Sequence, residues 1–149
     1  MTNTRGFLAA AVFFSFAASA MAQAPMPDLS GRDNHWIQDP DSHCWAANPN
    51  PQNGESIRWS GACENMLITG QGVLTWYENG RISGRDEGQF KNGELSGHGR
   101  IFFEDGASFE GEFPGVGILT APDGKKVRAQ SVKEPTGWDI EEIVENPPV

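Results

Sequence analysis

From Trp59 onward the chain alternates apolar and polar residues in short runs, and each run stops at a turn signal. The punctuation is ENG (78–80), KNGELSG (91–97), EDG (104–106), PG (114–115) and PDG (122–124). Asn-Gly and Asp-Gly between alternating runs mark hairpins, because both positions tolerate the positive φ of a tight turn. A period of two dominates. Only WDIEEIVEN (138–146) approaches a helical period, and it runs into Pro147-Pro148. The pattern predicts an all-β chain, with the tail 131–149 the one place for a short helix. Residues 23–58 are rich in Pro, Asp and Asn, which excludes long helices there and predicts an irregular segment ahead of a β-array over 59–130.

The array repeats. WSGAC (59–63), DEGQF (86–90) and FEGEF (109–113) align on Gly61, Gly88 and Gly111, spaced by 27 and then 23 residues. Each is followed by a Gly-x-Gly: Gly70 and Gly72, Gly97 and Gly99, Gly115 and Gly117. Each of these leads into an apolar strand, VLTWY (73–77), RIFFE (100–104) and ILTAP (118–122), that ends in a turn glycine at Gly80, Gly106 or Gly124. One unit amounts to one hairpin plus its connection.

This unit resembles the MORN repeat (membrane occupation and recognition nexus): aromatic-x-Gly-x-aromatic, a polar loop, Gly-x-Gly, an apolar strand and Asp-Gly. The 28 residues from Asp86 to Phe113 carry the closest likeness, within a coverage of about 44–126, and CWAANPNPQNGESIRWSGAC resembles the lead-in of exported bacterial members. The chain departs from the pattern in three places. Asp86 stands where the leading aromatic belongs, the third unit has lost its polar loop, and KKVRAQ lacks aromatic-x-Gly. The resemblance implies an elongated, twisted antiparallel sheet of consecutive hairpins, with an irregular, disulfide-tied N-terminal cap.

Strand alternation says what the glycines are for. Phe109, Gly111 and Phe113 share one face, with Glu110 and Glu112 on the other. A two-residue turn at Asp105-Gly106 would set Ile101 and Phe103 among the glutamates. An odd-length turn with a left-handed Gly106 gathers Ile101, Phe103, Phe109 and Phe113 and leaves Phe102 on the charged face, and this register separates apolar from charged better. Rings then lie over the glycines of neighbouring strands and cover their backbone.

Composition narrows the setting. Residues 1–22 carry Arg5, an apolar run from Phe7 to about Ala18, and the small-x-small site Ala20-Met21-Ala22, which is the layout of a signal peptide cleaved after Ala22. Its removal takes the net charge from −9 to −10, an acidity that gives no general attraction for nucleic acid. The two cysteines, Cys44 and Cys63, are an even pair in an exported chain and are expected to form one disulfide. It would tie the N-terminal cap to the first repeat strand.

The search for chemistry finds no constellation. His35, His43 and His98 are scattered, Asp33, Asp39 and Asp41 fit no calcium loop, and the Gly-x-Gly pairs open strands rather than helices. No nucleophile, base and oxyanion donor converge. The expectation is a non-enzymatic, periplasmic or secreted interaction module without metal or cofactor, binding a protein or itself. A lipid-associated module and an envelope-polysaccharide binder are the alternatives. The candidate binding face is Trp59, Trp76, Phe90, Ile101, Phe103, Phe109 and Phe113.

Overall fold

A computed structural model describes residues 35–134 and 137–144. The expected signal peptide at 1–22, with cleavage after Ala22, falls outside the described residues. Eleven strands follow in order: β1 (Trp36–Gln38), β2 (Trp45–Ala47), β3 (Glu55–Trp59), β4 (Ala62–Glu64), β5 (Leu67–Glu78), β6 (Arg81–Lys91), β7 (Glu94–Phe103), β8 (Ser108–Phe113), β9 (Gly115–Thr120), β10 (Lys126–Glu134) and β11 (Gly137–Glu142). The described residues contain no helix. They form one sheet in the order β1-β2-β5-β6-β7-β8-β9-β10-β11, with β3 and β4 also pairing β5. All pairings are antiparallel except β2 with β5, which meet in parallel at Trp45 and Leu67.

Two turn designs join β5 to β6, β6 to β7, β7 to β8 and β9 to β10. Asn79-Gly80 and Asn92-Gly93 are two-residue turns with both φ values positive, 50° and 79° in the first and 51° and 86° in the second. That geometry matches the twist of the strands it joins. The Asp turns are one residue longer. Phe103 N donates to Ala107 O, Gly106 sits at φ 90°, and the Asp105 carboxylate accepts from Ala107 N at 2.9 Å. Asp123 and Gly124 repeat the arrangement before Lys125. The odd-length turn therefore pairs Ile101 with Phe109 and Phe102 with Ser108, the register that separates apolar from charged.

The sheet's inner face is organised in rows across the strands. One row is Gly72, Gly88, Gly99, Gly111 and Gly117, each opposite the next, ending at Ala129 of β10. Rings lie on it. A Cβ at Gly72 would fall 2.8 Å from Trp59 Cζ2, one at Gly111 2.9 Å from Phe109 Cζ, and one at Gly99 3.4 Å from Phe113 Cδ2. Trp59 meets Phe90 edge-on at 4.7 Å between centroids, and Phe109 meets Phe113 at 5.4 Å. With Ile57, Ile68, Leu74 and Leu95 these rings are the core.

The outer face is charged. Arg100 Nε donates to Glu110 at 3.0 Å, His98 lies 3.2 Å from Glu112, and Phe102 lies under both Arg85 and Arg100, with centroid distances of 5.2 and 5.6 Å. Arg100, with His98 beside it, holds the Glu110 carboxyl below its ordinary value.

Two segments differ from the sequence expectation. The described part of the 23–58 segment, from residue 35, adds short strands to the cap: β1, β2 and most of β3. Residues 138–142 of the WDIEEIVEN stretch lie in a strand rather than a short helix: β11 pairs β10 from Ala129↔Glu142 to Glu134↔Gly137. Trp138 and Ile140 fall two apart and pack on the core, and Trp138 meets Phe113 at 5.6 Å. The open edge of β10 offered backbone partners that outweighed a marginal helical period.

Candidate functional site: an acidic cleft in the aromatic face

The row beside the glycines reads Trp59, Leu74, Asp86, Ile101, Phe109, Leu119 and Val127, each paired with the next across adjacent strands. Six of these seven are apolar. The exception is Asp86, the residue that stands where the leading aromatic of the second repeat belongs. Its equivalents in the flanking units are Trp59 and Phe109, both buried and both resting on glycines.

Where the ring is missing, the face opens. A cleft of about 480 Å³ lies against Leu74, Trp76, Asp86, Phe90, Leu95, Ile101 and Phe103, within the range of small-ligand pockets. One wall is the 47–55 loop with Asn48 and Glu55; another carries Gly137 and Trp138 of β11. Those walls approach each other, because a Cβ at Gly137 would fall 2.9 Å from Pro49 Cγ. The sheet has thus curled until its two ends flank the cleft.

Within the cleft Trp76 Nε1 donates to Asp86 Oδ2 at 2.9 Å. Burial pushes the Asp86 carboxyl up to about 7, against the lowering effect of the Trp76 bond. No cation pairs with Asp86 among the described residues, and Oδ1 receives no hydrogen bond there. The other acids facing the cleft are Glu55, Glu78, Glu94 and Glu104, and among the described residues no lysine, arginine or histidine lines it. Glu55 accepts from Asn48 Nδ2 at 2.6 Å, and Glu94 pairs with Lys133 at 2.7 Å, so these two are already engaged.

The seven aromatic-face candidates fall into two groups. Trp59, Phe90, Phe109 and Phe113 are core side chains. Trp76 and Ile101 are partly buried at the cleft, and Phe103 is 38% exposed there. The glycines divide as well. Gly72, Gly88, Gly99, Gly111 and Gly117 form the row; Gly61 lies under the Trp59 ring, while a Cβ at Gly70 or Gly97 would meet nothing. Gly115 belongs to the tight β8–β9 connection, where its N–H donates to Ser131 Oγ at 3.0 Å and the Ser131 hydroxyl donates to Glu112 O at 2.6 Å. Sequence reasoning did not single out Ser131, because a lone serine in a strand carries no local signal.

The cap is built around Asp39 and the disulfide. Cys44 and Cys63 are joined, which ties the start of β2 to β4. Buried Asp39 accepts from Ser42 Oγ at 2.7 Å, Asp41 N at 3.2 Å and Trp59 N at 3.3 Å. Burial alone would raise its pKa, but these bonds outweigh it and hold the carboxyl below its ordinary value. Across the other side of the cap, Ala47 N donates to Gly93 O and Gly93 N donates to Ile68 O, seating β2 on the Asn92-Gly93 turn. Among the described residues no cluster of three or more His, Cys, Asp or Glu is placed to hold a metal ion.

No curated protein matches the chain. The family model described as MORN repeat matches residues 67–84 and 87–108. The first match runs through β5 into β6, the second from β6 through β7 to the start of β8, and Asp86 falls between them. The two matches support a MORN-repeat protein.

Proposed function

We propose that this protein is an exported, non-enzymatic repeat module of the cell envelope that binds a protein partner through the cleft in its aromatic face. MORN repeats are in general interaction or membrane-associated modules. The observation that carries the reading is the opening itself. The first and third units close their glycine rows with Trp59 and Phe109, while the second leaves Trp76, Ile101 and Phe103 facing an open cleft. A signal-peptide layout at 1–22 and a disulfide suited to an oxidising compartment support the export. The acidity of chain and cleft disfavours anionic lipid. Among the described residues no nucleophile, base and oxyanion donor are brought together, in keeping with a binding role.

The test is site-specific photo-crosslinking in envelope preparations from the native host, with the probe at Phe103 and a control probe at Val116 on the outer face. A discrete protein adduct from Phe103 alone is the expected result. Equal or absent adducts from the two positions would overturn the reading. A polysaccharide binder would instead show retention on purified envelope glycan that is lost in Trp76→Ala.

A further inference from the structure

The geometry points to a basic, apolar polypeptide segment as the occupant of the cleft, with a lysine or arginine side chain of the partner seated on Asp86. This deepens the proposed function and rests on it.

Charge complementarity is the first argument. Among the described residues five acids and no base line the cleft. Two of the five are already occupied within the chain, Glu55 by Asn48 and Glu94 by Lys133. Asp86 is different. It sits mid-row between Leu74 and Ile101 on the apolar face, has no cation partner among the described residues, and keeps Oδ1 unbonded while Trp76 holds Oδ2. A carboxylate held in apolar surroundings without its counter-ion gains most from a partner that brings one. The indole bond orients the carboxyl, so little ordering is left to a ligand.

The walls supply the second argument. Trp76, Ile101 and Phe103 surround the carboxyl with apolar surface. A long basic side chain buries its methylene stem against such surface while its charged head reaches the acid, and neighbouring apolar residues of the segment fill the rest. A sugar would leave much of this wall unpaired with hydroxyls. An anionic or purely apolar segment would leave Asp86 buried and uncompensated, which penalises the wrong partner as well as favouring the right one.

The test uses the full mature chain and three short synthetic peptides: alternating leucine–lysine, leucine–glutamate and leucine–serine. Binding is read by tryptophan fluorescence and by salt dependence. Because the whole protein is acidic, two variants that each remove one negative charge are compared: Asp86→Asn in the cleft and Glu112→Gln on the outer face. Far-UV circular dichroism and thermal unfolding confirm that both fold.

The leucine–lysine peptide is expected to bind, to weaken about tenfold or more in Asp86→Asn, and to keep nearly full affinity in Glu112→Gln. Equal losses in the two variants would mean non-specific attraction to an acidic protein and would overturn the inference. Tight binding of the serine or glutamate peptide that Trp76→Ala abolishes and Asp86→Asn leaves intact would also overturn it, while sparing the cleft as a protein-binding site. Failure of every peptide, together with no Phe103 adduct, would remove the underlying reading.

Discussion

The second and third repeat units differ in the residue at their leading position, and that difference separates a wall from a cleft. In the third, Phe109 is fully buried and its ring covers both Gly111 and Gly117. In the second, Asp86 occupies the equivalent place, bonds Trp76, and leaves Ile101 and Phe103 partly uncovered. The glycine row runs unbroken beneath both. The repeat's backbone is thus independent of the leading aromatic, whereas the closure of its face is not. A carboxylate at that position opens a cleft at some expense in stability, a trade expected of binding sites rather than of scaffolding.

Several measurements would break or sharpen this contrast. The largest effect is expected from Phe109→Ala, which empties a sealed site and should cost about 3–5 kcal/mol in denaturant unfolding. Phe103→Ala at the open site should cost about 0.5 kcal/mol or less. Similar losses from the two would erase the distinction between wall and cleft. Replacing Cys44 and Cys63 together by serine should cost about 3 kcal/mol in the chain-entropy account. That loss belongs to the cap, so a Phe103 adduct should survive it at temperatures where the variant stays folded.

Next in size is a pH effect on the order of a few kcal/mol from Asp86. Its carboxyl stands at about 7 in the folded protein against an ordinary 3.8. Between those values the folded state keeps a proton that the unfolded chain has released, so stability falls as pH rises through the window and levels off above it. Asp86→Asn should remove that slope; a slope unchanged in the variant would show that Asp86 is not its source. Asp39 and Glu110 act with the opposite sign at lower pH. Their depressed values mean that the stability they contribute is lost only on acidification below the ordinary carboxylate range.

A smaller effect, about 1–3 kcal/mol, is expected for Gly111→Ala, whose Cβ would fall 2.7 Å from Val116 O and 2.9 Å from Phe109 Cζ. Gly99→Ala has more room, with Leu95 Cδ2 at 3.0 Å and Glu87 O at 3.1 Å, and should cost less. The reverse order would show that the row is not seated by the third unit's ring. Arg100→Ala, on the exposed ladder to Glu110 and Phe102, should change unfolding least of all, within replicate scatter.

Much of this architecture was legible in the sequence because its signals are local. Asn-Gly and Asp-Gly turns set loop length, loop length sets register, and register decides that Phe109 faces Ile101 while Phe102 joins the charges. The helical period of WDIEEIVEN was a weaker local signal that the open edge of β10 overrode. The cleft was legible only as a departure. Asp86 broke the aromatic pattern, but nothing along the chain gave its surroundings. Those surroundings come from residues distant in sequence, among them Asn48, Glu55 and Trp138, brought in by curling of the sheet.

The sequence by itself determined the hairpins, the rows and the pairing of glycines with rings, since each follows from strand alternation and short turns. Tertiary structure alone decided which rings are core and which are surface. Trp59, Phe90, Phe109 and Phe113 are buried, while Phe103 is not, because burial depends on what the folded ends cover. It also decided that one carboxylate without a cation partner among the described residues lies in an apolar row: the charge is written at position 86, but its place between Leu74 and Ile101 in a cleft exists only once the sheet has curled around it.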